Sequence, residues 1–232
     1  MGDIFITLLD ETCTILESYK GRDKVLRVLC YLAKLLGELQ SDPVLAKKFS
    51  IFGSQMSATR ATLRLLSDLP ALQNNLQYGF GRDEPDKYMA NLGVVSNLID
   101  QLFLPMEKMS WLSKHKLLTG IDTNKWDNAS SLCWALSTYL TILKTMRYLF
   151  LLEMHKDCFS KEKNISGEQL RNIKKYHLWN LIRLCMDFVH AVNTLPPGFL
   201  WSSRLKPWHI GIIGTSSSVL GIYLMIYKRW LK

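Results

Sequence analysis

The chain has 232 residues, 48% of them apolar and 11% aromatic, and its 29 Lys and Arg outnumber 20 Asp and Glu for a formal net charge of +9. A mean hydropathy of +0.02 excludes a conventional transporter built from many apolar runs of about 20 residues each. The basic balance suits an anionic surface; without zinc-finger spacing, an RNP-like motif or a basic-aromatic strand pattern, nucleic acid is not expected as the partner.

Apolar residues recur at three and four throughout, and no segment alternates with period two, so the expected fold class is all-α. Asp3 is positioned to cap a first helix with Ile4, Leu8, Cys13, Ile15 and Leu16 on its apolar positions, ending at Gly21 as a left-handed stop. A second helix, 22–39, aligns Val25, Val28, Leu29, Leu32, Leu35, Leu36 and Leu39 on one face, with Arg27, Lys34 and Glu38 on the other. Ser41-Asp42-Pro43 reads as a cap with proline in the first turn, opening a third helix expected to run to Leu69, before Pro70.

On that third helix Phe49, Phe52, Met56, Thr59, Leu63 and Leu66 form one stripe flanked by Arg60 and Arg64, while Ser50, Ser54, Ser57, Ala61 and Asp68 lie opposite. Such a helix fits either the core of a small bundle or the headgroup layer of a membrane. Burying a Phe, Leu or Met gains roughly 1.5–3 kcal/mol, and ordering the backbone costs roughly 1–2 kcal/mol per residue. A lone helix therefore binds marginally.

Gly79 to Pro85 is a loop by composition, and its Gly-x-Gly lacks the strand and the third glycine of a phosphate-binding turn. Residues 86–104 form a further apolar helix expected to stop near Pro105, and 111–127 read as a polar linker after an amphipathic region 1–110. Residues 128–152 form a second candidate span in which Lys144 and Arg147 interrupt an uncharged run; a central charge costs roughly 2.5–3.5 kcal/mol on insertion scales. In the helical loop region 153–207, His177 to Val192 is amphipathic, with Arg183 and Asp187 four apart, and ends at Pro196-Pro197-Gly198.

Residues 208–227 carry no Asp, Glu, Lys or Arg, and the basic tail 228–232 follows. Twenty helical residues cover roughly 30 Å, the thickness of the hydrocarbon core, so this is the expected transmembrane helix. Its Gly211, Gly214, Gly221 and Ser216 to Ser218 are of the small type that lets neighbouring helices approach.

Chemistry is not expected. The five histidines lack metal-ligand spacing, and there is no nucleophile elbow, phosphate-binding loop or carboxylate pair, so neither an enzyme nor a cofactor or metal site is read. The odd set Cys13, Cys30, Cys133, Cys158 and Cys185, without a C-x-x-C, reads as reduced thiols; Cys158 is also a candidate acyl acceptor. No cleavable leader is expected, because the first 19 residues carry Asp3, Asp10, Glu11 and Glu17 and no base.

The run Ser18-Tyr19-Lys20-Gly21-Arg22-Asp23-Lys24-Val25-Leu26-Arg27 resembles the opening signature of the peroxisomal membrane protein 11 family, gamma type. The likeness continues through the helix at 43–69, Lys125-Trp126 at the head of the apolar segment, and the C-terminal span. The resemblance implies an all-helical, multi-pass protein of the peroxisomal membrane with both termini cytosolic. It implies an amphipathic helix that inserts in the outer leaflet and elongates the membrane, self-association or association with related members, and contact with fission adaptors and a dynamin-related GTPase. By position, the membrane-inserting residues are then Phe49, Phe52, Met56, Leu63 and Leu66, and the headgroup-binding residues Lys47, Lys48, Arg60 and Arg64. Two alternatives from other classes are an oligomeric metabolite channel using Lys144 and Arg147, and a fission adaptor without bending activity of its own. If both spans cross, the nine Lys and Arg of 153–207 lie in the lumen, against the positive-inside rule; glycosylation of Asn164-Ile165-Ser166 would mark exposure to the endoplasmic reticulum lumen.

Overall fold

The computed structural model describes residues 2–155 and 167–231, so Cys158 and Asn164-Ile165-Ser166 lie outside the described residues. Every regular element described is a helix, in agreement with the all-α expectation. α1 (Gly2–Glu17) and α2 (Tyr19–Leu39) meet at a one-residue elbow. Ser18 makes it: its Oγ accepts from the Gly21 N–H at 3.0 Å and donates to the Ile15 carbonyl at 2.9 Å, an N-cap that satisfies an orphan donor of the new helix. Gly21 is thus a helical, buried residue of α2 and not the expected left-handed stop. A Cβ there would stand 2.0 Å from the Ile15 carbonyl oxygen, so the elbow closes only around a residue without one.

α3 (Pro43–Arg64) starts where expected, with Asp42 Oδ1 accepting from the Val44 N–H at 2.9 Å. It ends five residues early. The chain turns at Leu65 and Leu66, and α4 (Asp68–Tyr78) takes Pro70 into its first turn, where a missing N–H leaves no intrahelical acceptor unpaired. α5 (Lys87–Lys114) runs through Pro105 instead of stopping there. An internal proline costs about 3 kcal/mol, and the far half of α5 is held against that cost by burial of Leu104 and Ser110, the Ser110 hydroxyl on Asp127, and the Lys114–Asp127 pair at 2.7 Å. The expected linker 111–127 contracts to residues 115–122, where Lys116 and Gly120 adopt positive φ. α6 (Thr123–Met154), α7 (Gly167–Asn193) and α8 (Pro207–Trp230) complete the described elements.

The chain divides into two compact units, Met1–Arg60 with Lys206–Lys232, and Ala61–Leu205. In the first, α2 packs against α1, α3 and α8. In the second, α6 lies between α5 and α7. A small core there joins Ala135 to Ala191, Val192 and Leu195 under Trp134, Phe188 and Trp201, and the Trp201 indole donates to the Val189 carbonyl at 3.0 Å. Arg183 and Asp187, four apart on α7, pair at 2.8 Å.

Candidate membrane interface

Within the first unit, the face of α3 turned toward the protein carries Ala46, Phe49, Gly53, Met56 and Arg60, while Ser50, Ser54 and Ser57 of the expected small side are exposed. A Cβ on Gly53 would sit 3.2 Å from the Cys30 carbonyl and 3.4 Å from the Ala33 Cβ, and one on Gly37 of α2 would sit 3.4 Å from the Ala46 carbonyl and the Phe49 Cβ. Phe49 turns to α2 on the same face as Gly53, so only part of the expected bulky stripe stays outward. Phe52 is 44% exposed, Ile51 53% and Val44 62%; Phe49, Met56 and Leu63 are half-buried. Leu66 lies in the turn beyond the helix and is 83% exposed.

The four expected headgroup ligands separate into two kinds. Lys47 and Lys48 are exposed in the first two turns of α3. Arg60 Nε lies 2.9 Å from Asp23 Oδ1 of α2, and Arg64 pairs with Glu107 of α5 at 2.5 Å. Both guanidiniums thus have internal carboxylate partners, supplied by residues 37 and 43 positions away, which a helical wheel does not display. Val44 and Ile51, absent from the expected stripe, belong to the exposed surface; their apolar character was the available signal. So do Phe5, Ile6, Leu9 and Leu16 of α1, the helix read as an ordinary apolar-faced one.

Among the described residues, α8 is the helix long and apolar enough by length and composition to cross a membrane. At about 1.5 Å per residue its 24 residues reach roughly 36 Å. Gly211, Gly214, Ser217, Ser218, Gly221 and Leu224 are its buried side, while Ile212, Val219 and Tyr223 are exposed.

In the second unit, α6 carries both charges that interrupt the second candidate span, and each has an acid. Lys144 Nζ is 2.6 Å from Glu84 and 3.3 Å from the Tyr78 hydroxyl, and Arg147 is 2.7 Å from Asp86. Asp86 also caps α5, accepting from the Met89 N–H at 2.8 Å. That N–H, then Arg147, holds the Asp86 carboxyl below the usual aspartate range against the opposing effect of burial. Leu132, Leu136, Tyr139, Met146, Phe150 and Met154 recur along α6 at helical spacing and are all exposed.

Among the described residues, a wholly helical architecture with one helix of spanning length and several exposed apolar faces suits a membrane, and comparison with known proteins agrees. The family model described as Peroxisomal biogenesis factor 11 (PEX11) matches residues 9–226. The chain is 31% identical over 227 residues to Peroxisomal membrane protein 11C of Homo sapiens, covering 93% of each chain, and 29% identical over 228 residues to the Mus musculus protein of that name, again covering 93% of each. It is 26% identical over 223 residues, 89% of each chain, to Peroxisomal membrane protein PMP27 of Saccharomyces cerevisiae. No solved structure matches. With the match extending from the middle of α1 to near the end of α8, the chain belongs to the peroxisomal biogenesis factor 11 family.

Proposed function

We propose that the protein resides in the peroxisomal membrane, anchored by α8, and that α3 inserts shallowly into the cytosolic leaflet to bend and elongate the membrane ahead of division. The observation that carries this reading is the orientation of α3. Ala46, Phe49 and Gly53 are used against α2, which leaves Val44, Ile51 and Phe52 outward beside Lys47 and Lys48. Each bulky side chain that leaves water contributes up to roughly 1.5–3 kcal/mol, and the unit that presents them is already tethered, so the insertion need not supply all of the binding. Wedge area in one leaflet then produces curvature.

The division role extends from the family assignment: assembly with further copies or related members, and capture of fission adaptors and a dynamin-related GTPase, at a membrane already drawn into a tubule. Both termini are cytosolic in this proposal, and α6 is the second crossing. The channel alternative relies on Lys144 and Arg147 as lining cations; each is held by a carboxylate, and no observation favours it.

The test uses the full-length protein in anionic liposomes and in cells. Ile51→Asp with Phe52→Asp is expected to abolish tubulation and peroxisome elongation while leaving the protein in the membrane fraction. Undiminished elongation with that double variant overturns the wedge. Elongation lost while recruitment of fission factors persists assigns the two roles to separate surfaces.

A further inference from the structure

We infer that the tip of the loop between α7 and α8, Phe199 with Leu200, is a lipid anchor that inserts into the headgroup layer of the leaflet at which α8 begins. The inference rests on α8 crossing the membrane and goes beyond it; in the topology proposed above, that leaflet is the lumenal one. Leu200 is 67% exposed and Phe199 54%, and Pro197 and Gly198 before them are exposed as well. Single apolar residues on a surface mean little, but here two large ones are adjacent and the backbone holds them out. Leu200 has a φ of 43° and Ser203 one of 58°. A leucine adopts that left-handed conformation only at a cost, and glycine or asparagine would fill the position more easily.

The chain on either side of the tip is tied down. Asn193, buried at the end of α7, holds the returning strand twice: its carbonyl accepts from the Ser203 N–H at 3.1 Å and its side-chain Oδ1 from the Leu205 N–H at 3.0 Å. Ser202 is buried, and its hydroxyl donates to the Pro196 carbonyl at 2.8 Å while its N–H donates to the Phe199 carbonyl at 2.7 Å. Trp201 turns inward. Its indole donates to the Val189 carbonyl at 3.0 Å, and its ring stands edge-on to Phe188 with centroids 6.0 Å apart. These bonds give polar groups of the turn internal partners, which lowers the cost of moving it out of water.

Reach and charge make a lipid surface the occupant. Leu200 precedes Pro207, the first residue of α8, by seven positions, and seven residues of chain extend at most about 25 Å. Trp208, 39% exposed, and Trp230, 78% exposed, stand at the two ends of α8, where aromatic side chains mark the interfaces of a span. The tip is therefore kept close to the boundary at which α8 starts. From residue 188 to residue 232 the sequence has no Asp or Glu, and Arg204 and Lys206 are exposed between the tip and α8. An apolar tip followed by bases lets the rings and methyls reach acyl carbon while the cations stay among anionic headgroups.

The experiment is photolabelling of the unmodified full-length protein in anionic liposomes containing phosphatidylcholine with a diazirine close to the acyl carbonyl, followed by tryptic mapping and fragmentation. On the peptide Leu184–Arg204, adducts at Phe199 and Leu200 are expected to exceed those at Ser203 and Arg204 severalfold, although the latter lie nearer to α8 in the chain. A yield that is even, or rises toward Arg204, reflects proximity to the span alone and overturns the anchor. Adducts on the α8 peptide Leu205–Lys228 alone also overturn it and leave the α8 span standing; adducts on neither peptide overturn the span itself. A second measurement places p-benzoylphenylalanine at position 200. A lipid adduct is expected, and a cross-linked dimer in its place assigns the tip to a second copy and overturns the lipid surface. Phe199→Ser with Leu200→Asn is expected to lose most of the labelling of Leu184–Arg204 while the melting temperature in detergent is kept or raised; a lowered melting temperature overturns the anchor in favour of a packing role.

Discussion

Asp86 serves two helices with one carboxylate, capping α5 and pairing with Arg147 of α6. Because its pKa in the fold is below the unfolded value, its stabilising contribution is complete above that unfolded value and is lost as pH falls through the lower, folded one. Asp86→Ala is expected to cost roughly 0.5–2 kcal/mol as a lost cap. Asp86→Asn retains the cap and forfeits only the ion pair. Thermal melts in detergent should show a gap between wild type and Asp86→Asn at neutral pH that closes as the pH is taken below about 4. At Gly53 the prediction concerns space. With the Cys30 carbonyl 3.2 Å from where a Cβ would stand, Gly53→Val forces α3 off α2 at a cost of roughly 1–3 kcal/mol, and limited proteolysis should then cut between residues 39 and 43 faster than in wild type.

At the scale of the element, α3 shows what periodicity conveys and what it omits. Spacing separates a bulky side from a small side, since both are properties of one helix. Which side meets protein depends on the partner: Gly37 and Ala33 of α2 take the face of Phe49 and Gly53, and Ser50, Ser54 and Ser57 are exposed. The arginines follow the same logic: their acids, Asp23 and Glu107, lie on other helices. The prolines failed differently. Pro70 in a first turn and Pro105 in a helix interior look alike in sequence, and only the burial of the following turns distinguishes a start from a tolerated interruption. Charge reversal tests the remaining cations: Lys47→Glu with Lys48→Glu should weaken binding to anionic liposomes by more than the roughly 1 kcal/mol per base expected from charge removal alone. Equal loss on neutral liposomes would point to a folding defect instead.

For the whole molecule, the family signature was legible early because it is built from unusual residues in a fixed order, and the fold explains the order. Ser18 and Gly21 form the elbow, Asp23 holds α3, and Lys24 lies against α8. The division into two units was not legible, because residues 206–232 join the N-terminal helices across the intervening chain. Full-length protein is expected to stay with membranes through alkaline carbonate extraction; recovery as a detergent-free soluble species would remove the membrane reading as a whole.

The Lys144 and Arg147 pairs bear on how α6 could settle in a low-dielectric medium. Each cation carries its counter-ion from the segment that leads into α5, so these two charges are cancelled only when α6 is taken together with residues 84–86. Moving α6 alone would strip two ion pairs at the boundary where water is scarce. The depth of α6 and the depth of the α5 start are therefore one variable, and a topology assigned from Lys144 and Arg147 by themselves describes half of each ion pair.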